Sequence, residues 1–220
     1  MKKLLLTIVF SAFYISSAAA VSVNVGVSGQ AGIFAASATE KTGTTVKGNG
    51  SEHGSAGWGS VFLEGQFNDR IIVGIDYVPT ALETDTTETA KSDKEPGSKD
   101  DTPTTVTNKI QIDFEDLTTV YVGAMITDSL YVKAGAMKVD VITNETLGTG
   151  AAYGNTELDG TMFGIGYHVA NDNGAFFRFE GNYMSFDGTS LKATGTAADN
   201  TIELKNLDGV SGKISVGKSF

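Results

Sequence analysis

Two histidines and a set of isolated charged side chains are the residues best equipped for chemistry in this chain. His53 lies among Ser51, Glu52 and Ser55, residue types from which a hydrolase draws its nucleophile, base and acid. No spacing fixes a partner for it, so the neighbourhood reads as a polar segment and no catalytic residue is expected. His168, opposite in parity to Tyr167 and Val169, is expected to face inward, away from those apolar neighbours. Cysteine is absent, which excludes disulfides and thiolate chemistry. No phosphate-binding loop, zinc spacing or cofactor fingerprint occurs, so neither cofactor nor metal is expected.

A carboxylate-rich stretch offers the other candidate chemistry. Glu83, Asp85, Glu88, Asp93, Glu95, Asp100 and Asp101 face only Lys91, Lys94 and Lys99, a local charge of −4 (seven acids, three lysines). Such a segment could hold a divalent cation, but it lacks the Asp-x-Asp-x-Asp-Gly register of a calcium loop. A solvated loop is the expectation. Glu145 is alone in its segment and adds little.

The remaining charges sit singly between apolar neighbours: Glu64, Asp76, Asp113, Glu115, Arg178, Glu180 and Lys213. Only a period-two strand puts each charge on one face and its neighbours on the other. Eight such strands can be read, over about 21–36, 57–68, 70–79, 108–126, 130–143, 152–169, 175–186 and 201–220. In the first, Val21, Val23, Val25, Val27, Ala31 and Ile33 share a parity. In the fourth, Ile110, Ile112, Phe114, Val120 and Val122 share one, and Asp116 suggests a bulge or a segment above the membrane. In the fifth, the apolar parity slips between Ala136 and Val139. A bulge near Met137 would restore it and turn Lys138 and Asp140 inward.

The connections alternate in length. Those at 68–69, 127–129 and 170–174 are short; those near 37–56, 80–107, 144–151 and 187–200 are long. Outer-membrane barrels show this asymmetry, with tight turns on the periplasmic side and longer loops outside. The fold expected is all-β, an eight-stranded antiparallel up-and-down transmembrane β-barrel with apolar residues facing lipid. Such closure leaves no backbone group unpaired in a bilayer.

The first 20 residues read as an export signal. Lys2 and Lys3 precede the apolar run Leu4–Phe10, and Ala18-Ala19-Ala20 gives a small-x-small cleavage site after Ala20. The expected organisation is a signal peptide, 1–20, and a single outer-membrane β-barrel domain, 21–220. Removing Lys2 and Lys3 takes the formal charge from −10 to −12, an acidic balance that argues against nucleic acid. No peptidoglycan-binding module is read after the last strand.

The export signal, the strand count and the terminal aromatic resemble the small outer-membrane barrels of the opacity-protein and porin-like superfamily. That resemblance implies a cell outer-membrane location, and contact with outer-membrane lipid and lipopolysaccharide. It also implies that Val210, Ile214, Val216 and Phe220 form a C-terminal signal for the barrel-insertion machinery. Lys218 departs from the pattern and would snorkel at the rim. The seven single charges are expected to form a charge network in the lumen, either as a packed polar core or lining a narrow cation-preferring path. A structural or surface-interaction role, with polar loops displayed to meet a surface ligand, is the leading expectation. A small porin for ions or small solutes is the alternative.

Overall fold

The computed structural model describes residues 21–93, 104–148, 151–195 and 199–220. The export segment lies outside them, as do Lys94, Glu95, Lys99, Asp100 and Asp101. Eight strands form the wall: β1 Val21–Thr42, β2 Thr45–Phe67, β3 Ile71–Tyr77, β4 Thr104–Met125, β5 Leu130–Leu147, β6 Thr156–Ala170, β7 Ala175–Lys192 and β8 Asn200–Ser219. Each pairs antiparallel with its sequence neighbour, and β8 pairs with β1, so the sheet closes into an up-and-down barrel.

The three short connections lie at one end, and their chemistry explains their tightness. Asn68 and Asp69 both have positive φ, 50° and 54°, the left-handed pair of a type I′ turn that Arg70 N closes onto Phe67 O at 3.0 Å. Thr127 Oγ1 accepts from Leu130 N at 2.9 Å in the second turn. Asn171 Oδ1 accepts from Ala175 N at 3.0 Å in the third, where Gly174 takes φ 84°. At this turn end Phe220 N donates to Val23 O at 2.9 Å, tying the last residue into the ring.

The opposite end differs from the expected array of long loops. The segment 37–56 is strand: β1 and β2 run on as a hairpin to a turn at Gly43, with φ 58°. β5 continues to Leu147 and β7 to Lys192. In the segment 80–107, Leu82–Glu83 and Thr87–Asp93 add short strands against β4. Glycine, serine and threonine dominate these extensions, which is why they read as loops. Cross-strand pairing with a neighbour already in place overrides such weak local preference.

A ring of exposed apolar side chains surrounds the half nearest the turns. It includes Val25, Val27, Val73, Val120, Val122, Ile165, Phe179 and Ile214. Tyr167, Val169, Phe177 and Phe220 carry it to the turn end. A contiguous apolar surface of that extent is not sustained in water and marks a face that meets lipid. Turning the register by one residue would place Arg178 in that lipid, at a cost of about 2–4 kcal/mol at mid-depth.

Beyond the belt the wall inverts. Val139, Val141, Leu158, Met184 and Phe186 are buried inside the barrel, with Ile112, Phe114 and Leu207 packed against them. Charged residues now face outward: Lys138 pairs with Glu157, and Lys41 with Glu203 at 2.6 Å. The exterior solvent there is water, so the apolar side chains gather within.

Two strands cross this boundary differently. In β4 the register shifts between Glu115 and Thr118, and Asp116 takes φ 55°. One extra residue there turns Ile112 and Phe114 inward and Asp113 and Glu115 outward. In β5 the pairing with β6 runs unbroken from Leu130↔Tyr167 to Val141↔Thr156. The bulge expected near Met137 is therefore not present. The strand keeps its alternation and the apolar residues change parity, so Val139 and Val141 point inward. Lys138 and Asp140 face outward, correcting their expected place in the lumen.

Candidate functional site

The lumen holds the charged residues, in layers that can be followed up β7. Its inward positions are Phe176, Arg178, Glu180, Asn182, Met184 and Phe186, all buried. Period-two geometry stacks them on one face, and each meets partners from strands across the barrel.

Phe176 and Phe62 close the turn end, their rings 6.2 Å apart, with Arg178 Cζ 4.6 Å from the Phe176 ring. Above them Arg178 Nη1 donates to Glu64 Oε1 at 2.6 Å. The same carboxylate oxygen accepts from the Tyr121 hydroxyl at 2.6 Å, and Asn24 Nδ2 donates to Oε2 at 3.3 Å. Arg178 Nε donates to His168 Nδ1 at 3.0 Å. That bond identifies Nδ1 as the acceptor nitrogen and gives His168 a supporting part in the network.

One layer up, Lys133 Nζ donates to Glu180 Oε2 at 2.7 Å, and the Tyr131 hydroxyl donates to Glu180 Oε1. Lys213 pairs with Asp76 across the lumen. Three carboxylates and three cations thus cancel in pairs. Buried charge is tolerable only under such pairing with further hydrogen bonds.

Glycines make the room. A Cβ on Gly166 would lie 2.3 Å from the Tyr131 ring, and one on Gly74 would lie 2.6 Å from that of Tyr121. The bulky phenols lie flat over these positions, so the lumen glycines are filled by neighbours and leave no channel at these two points.

The ionic layers end at a cavity of about 20 Å³, lined among others by Asp76, Lys213, Asn182, Trp58 and Met184. It has room for about one water molecule. Asn182 Oδ1 has no hydrogen-bond partner among the described residues. Above the cavity the apolar cluster fills the bore, with the Phe34 and Trp58 rings tilted against each other at 5.8 Å.

Five of the seven charges read from the sequence meet here: Glu64, Asp76, Arg178, Glu180 and Lys213. Asp113 and Glu115 do not. Glu115 is exposed, and Asp113 accepts from Asn144 Nδ2 at 2.6 Å away from the network. The bulge at Asp116 displaces both. Lys133, Tyr121 and Tyr131 complete the network. Lys133 carried a readable signal, since it lies between the outward-facing Val132 and Ala134. His53 is exposed on β2. Among the described residues no cluster of histidine, aspartate or glutamate is arranged to hold a metal ion. Val210, Ile214, Val216 and Phe220 all face outward and exposed.

The geometry defines a small outer-membrane-type β-barrel, and comparison with solved structures agrees. The chain is similar to the outer membrane protein OprG from Pseudomonas aeruginosa: 15% identity, 92% of this chain and 97% of that one covered, TM-score 0.58. It also matches the outer membrane protease OmpT from Escherichia coli, at 9% identity over 94% of this chain and 99% of that one, TM-score 0.43. Neisserial surface protein A matches at 14% identity over 87% and 97%, TM-score 0.37. The likeness to OprG establishes the shared fold; the other two say nothing of this chain's chemistry. No family model matches the chain, and neither does any curated protein.

Proposed function

We propose that this protein is a non-conducting, non-catalytic barrel of the Gram-negative outer membrane that presents its β-extension at the cell surface for interaction. The observation that carries this reading is the filled bore. Three neutralised ion pairs, a cavity of about 20 Å³ and a tall apolar cluster succeed one another along the axis. A porin requires a continuous aqueous path, which an eight-stranded barrel has room for only if its interior side chains are small.

The same reading includes export with cleavage after Ala20, insertion guided by Val210, Ile214, Val216 and Phe220, and contact with lipopolysaccharide around the outward rim. Mass spectrometry of the mature protein would report the cleavage point.

Planar-bilayer recording of refolded protein, with heat-modifiable gel mobility confirming the fold, tests the central claim. Silent membranes are expected. Large, stable single-channel steps would replace this reading with that of a small porin. Peptidase and lipase assays of the same preparation should stay at background.

A further inference from the structure

The wall is incomplete on one side above the belt. β2 pairs with β3 only over Val61–Phe67. After Tyr77 the chain turns its hydrogen bonds to β4: Val78 N donates to Leu117 O, and Thr84 N to Ile112 O, both at 2.9 Å. Thr87–Asp93 then pairs with β4 from Ile110 to Thr104. The upper half of β2 therefore has β1 on one side, and among the described residues no strand is hydrogen-bonded to it on the other.

Exposure agrees with that topology. Asn49 to Ser55 are exposed without exception, on both faces of the strand. A Cβ added at Gly50 or Gly54 would meet nothing within 4 Å. Natural edges are usually guarded by lysine, proline or a bulge. Here Lys47 and a register shift beside Lys41 guard only the tip. From Asn49 to Ser55 there is no proline and no bulge, and Glu52 is the sole carboxylate.

We propose that this edge of β2, Asn49–Ser55, is a docking site for an extended polypeptide segment of another molecule, which adds to the sheet as a further strand. The proposal rests on the surface-interaction reading and names its site and partner class. Unpaired backbone donors and acceptors in a row are complementary to another strand, and main-chain bonds supply the affinity in this mode of recognition. The bare positions at Gly50 and Gly54 accept large cross-strand neighbours, so β-branched or aromatic residues at alternate positions fit best. The charge of −12 left once Lys2 and Lys3 are removed favours a neutral or basic segment. A second copy in the same bilayer fits less well. Both copies share one orientation, so their β2 edges would meet in parallel, the weaker pairing.

The test uses the refolded full barrel in lipid nanodiscs and a displayed library of random peptides about ten residues long, the span of a typical strand. Peptides are selected on the barrel and counter-selected on a Ser51→Pro variant, which removes a backbone donor from the open edge and whose folding is checked by gel mobility. The expected binders carry alternating β-branched or aromatic residues. Each slows amide exchange on alternate residues of Asn49–Ser55 by about tenfold or more, as new strand pairing does. Methylating alternate backbone nitrogens of a binder, which leaves the barrel untouched, should abolish binding. The proposal is overturned if no binder emerges, if binders protect residues elsewhere, or if backbone methylation is without effect. It is equally overturned if the free barrel self-associates with Asn49–Ser55 already protected. A conducting barrel would defeat the plugged-display reading and leave this edge result standing, so the two failures are distinguishable.

Discussion

Arg178 reaches across the lumen from β7 to Glu64 on β2, strands separated along the wall by β8 and β1. The ion pair therefore ties together parts of the ring that no backbone ladder joins directly. Both side chains are nearly inaccessible to solvent, at 3% and 2% exposure.

Removing one partner should expose the cost of the other. Arg178→Met leaves the Glu64 carboxylate buried without its cation, and a loss of about 3–5 kcal/mol is expected. Replacing both, as Arg178→Met with Glu64→Leu, should recover most of it. Urea unfolding in lipid vesicles, compared across the double-mutant cycle, reads both values.

Gly166 and Tyr131 should behave as a fitted pair. Gly166→Ala drives a methyl group against the Tyr131 ring, and overpacking of this kind costs about 1–3 kcal/mol. Tyr131→Ala in the same chain should relieve the clash while forfeiting the hydrogen bond to Glu180. Unfolding midpoints of the single and double variants test the pairing.

The extra residue at Asp116 sets which face of upper β4 meets water. Deleting it should turn Asp113 and Glu115 into the apolar cluster and push Ile112 and Phe114 outward. The deletion is expected to fail to form the heat-modifiable species, whereas Asp116→Gly, which keeps the residue count and favours positive φ, should fold. A deletion variant that refolds with native mobility would contradict the bulge's role.

Lys138 holds its proton beyond the ordinary lysine range, because Glu157 accepts a hydrogen bond from it and Asp159 and Asp140 lie near. Its folded pKa is raised, so whatever the pair contributes is fully present below the unfolded value. That contribution is lost as pH climbs through the folded one. Glu157→Gln should lower the Lys138 titration midpoint, measured by side-chain nuclear magnetic resonance. An unchanged midpoint would show that the pair does not persist in solution.

Phe220→Ala should separate assembly from stability. If the outward residues of β8 are read by the insertion machinery, its outer-membrane level in cells should fall severalfold. Refolding of the purified chain into detergent should be unaffected. Equal losses in both settings would make Phe220 a packing residue only.

Alternation made the lower barrel readable from the chain alone, because lipid outside and charge inside give the two parities opposite chemistry. Phe177, Arg178, Phe179 and Glu180 follow that rule without exception. The upper wall was harder to read. There the apolar face changes sides, and a strand can accommodate this with a bulge, as β4 does, or by switching the parity of its apolar residues, as β5 does. Sequence shows that a switch occurs but not which device serves it, so alternation alone places Lys138, Asp113 and Glu115 on the wrong side. The hairpin of β1 and β2 was hidden for another reason. Gly48, Gly50, Ser51 and Gly54 have no strand preference of their own, and only the register imposed by β1 extends them.

The inversion of the wall also fixes how deep the molecule sits. Raising or sinking the barrel by a single turn of the pleat would either drag Lys138 and Glu157 among acyl chains or lift Phe163 and Ile165 into water. Neither displacement has a compensating gain. The lipid must adjust to the protein, thinning or thickening around a hull whose waterline is set by its own side chains.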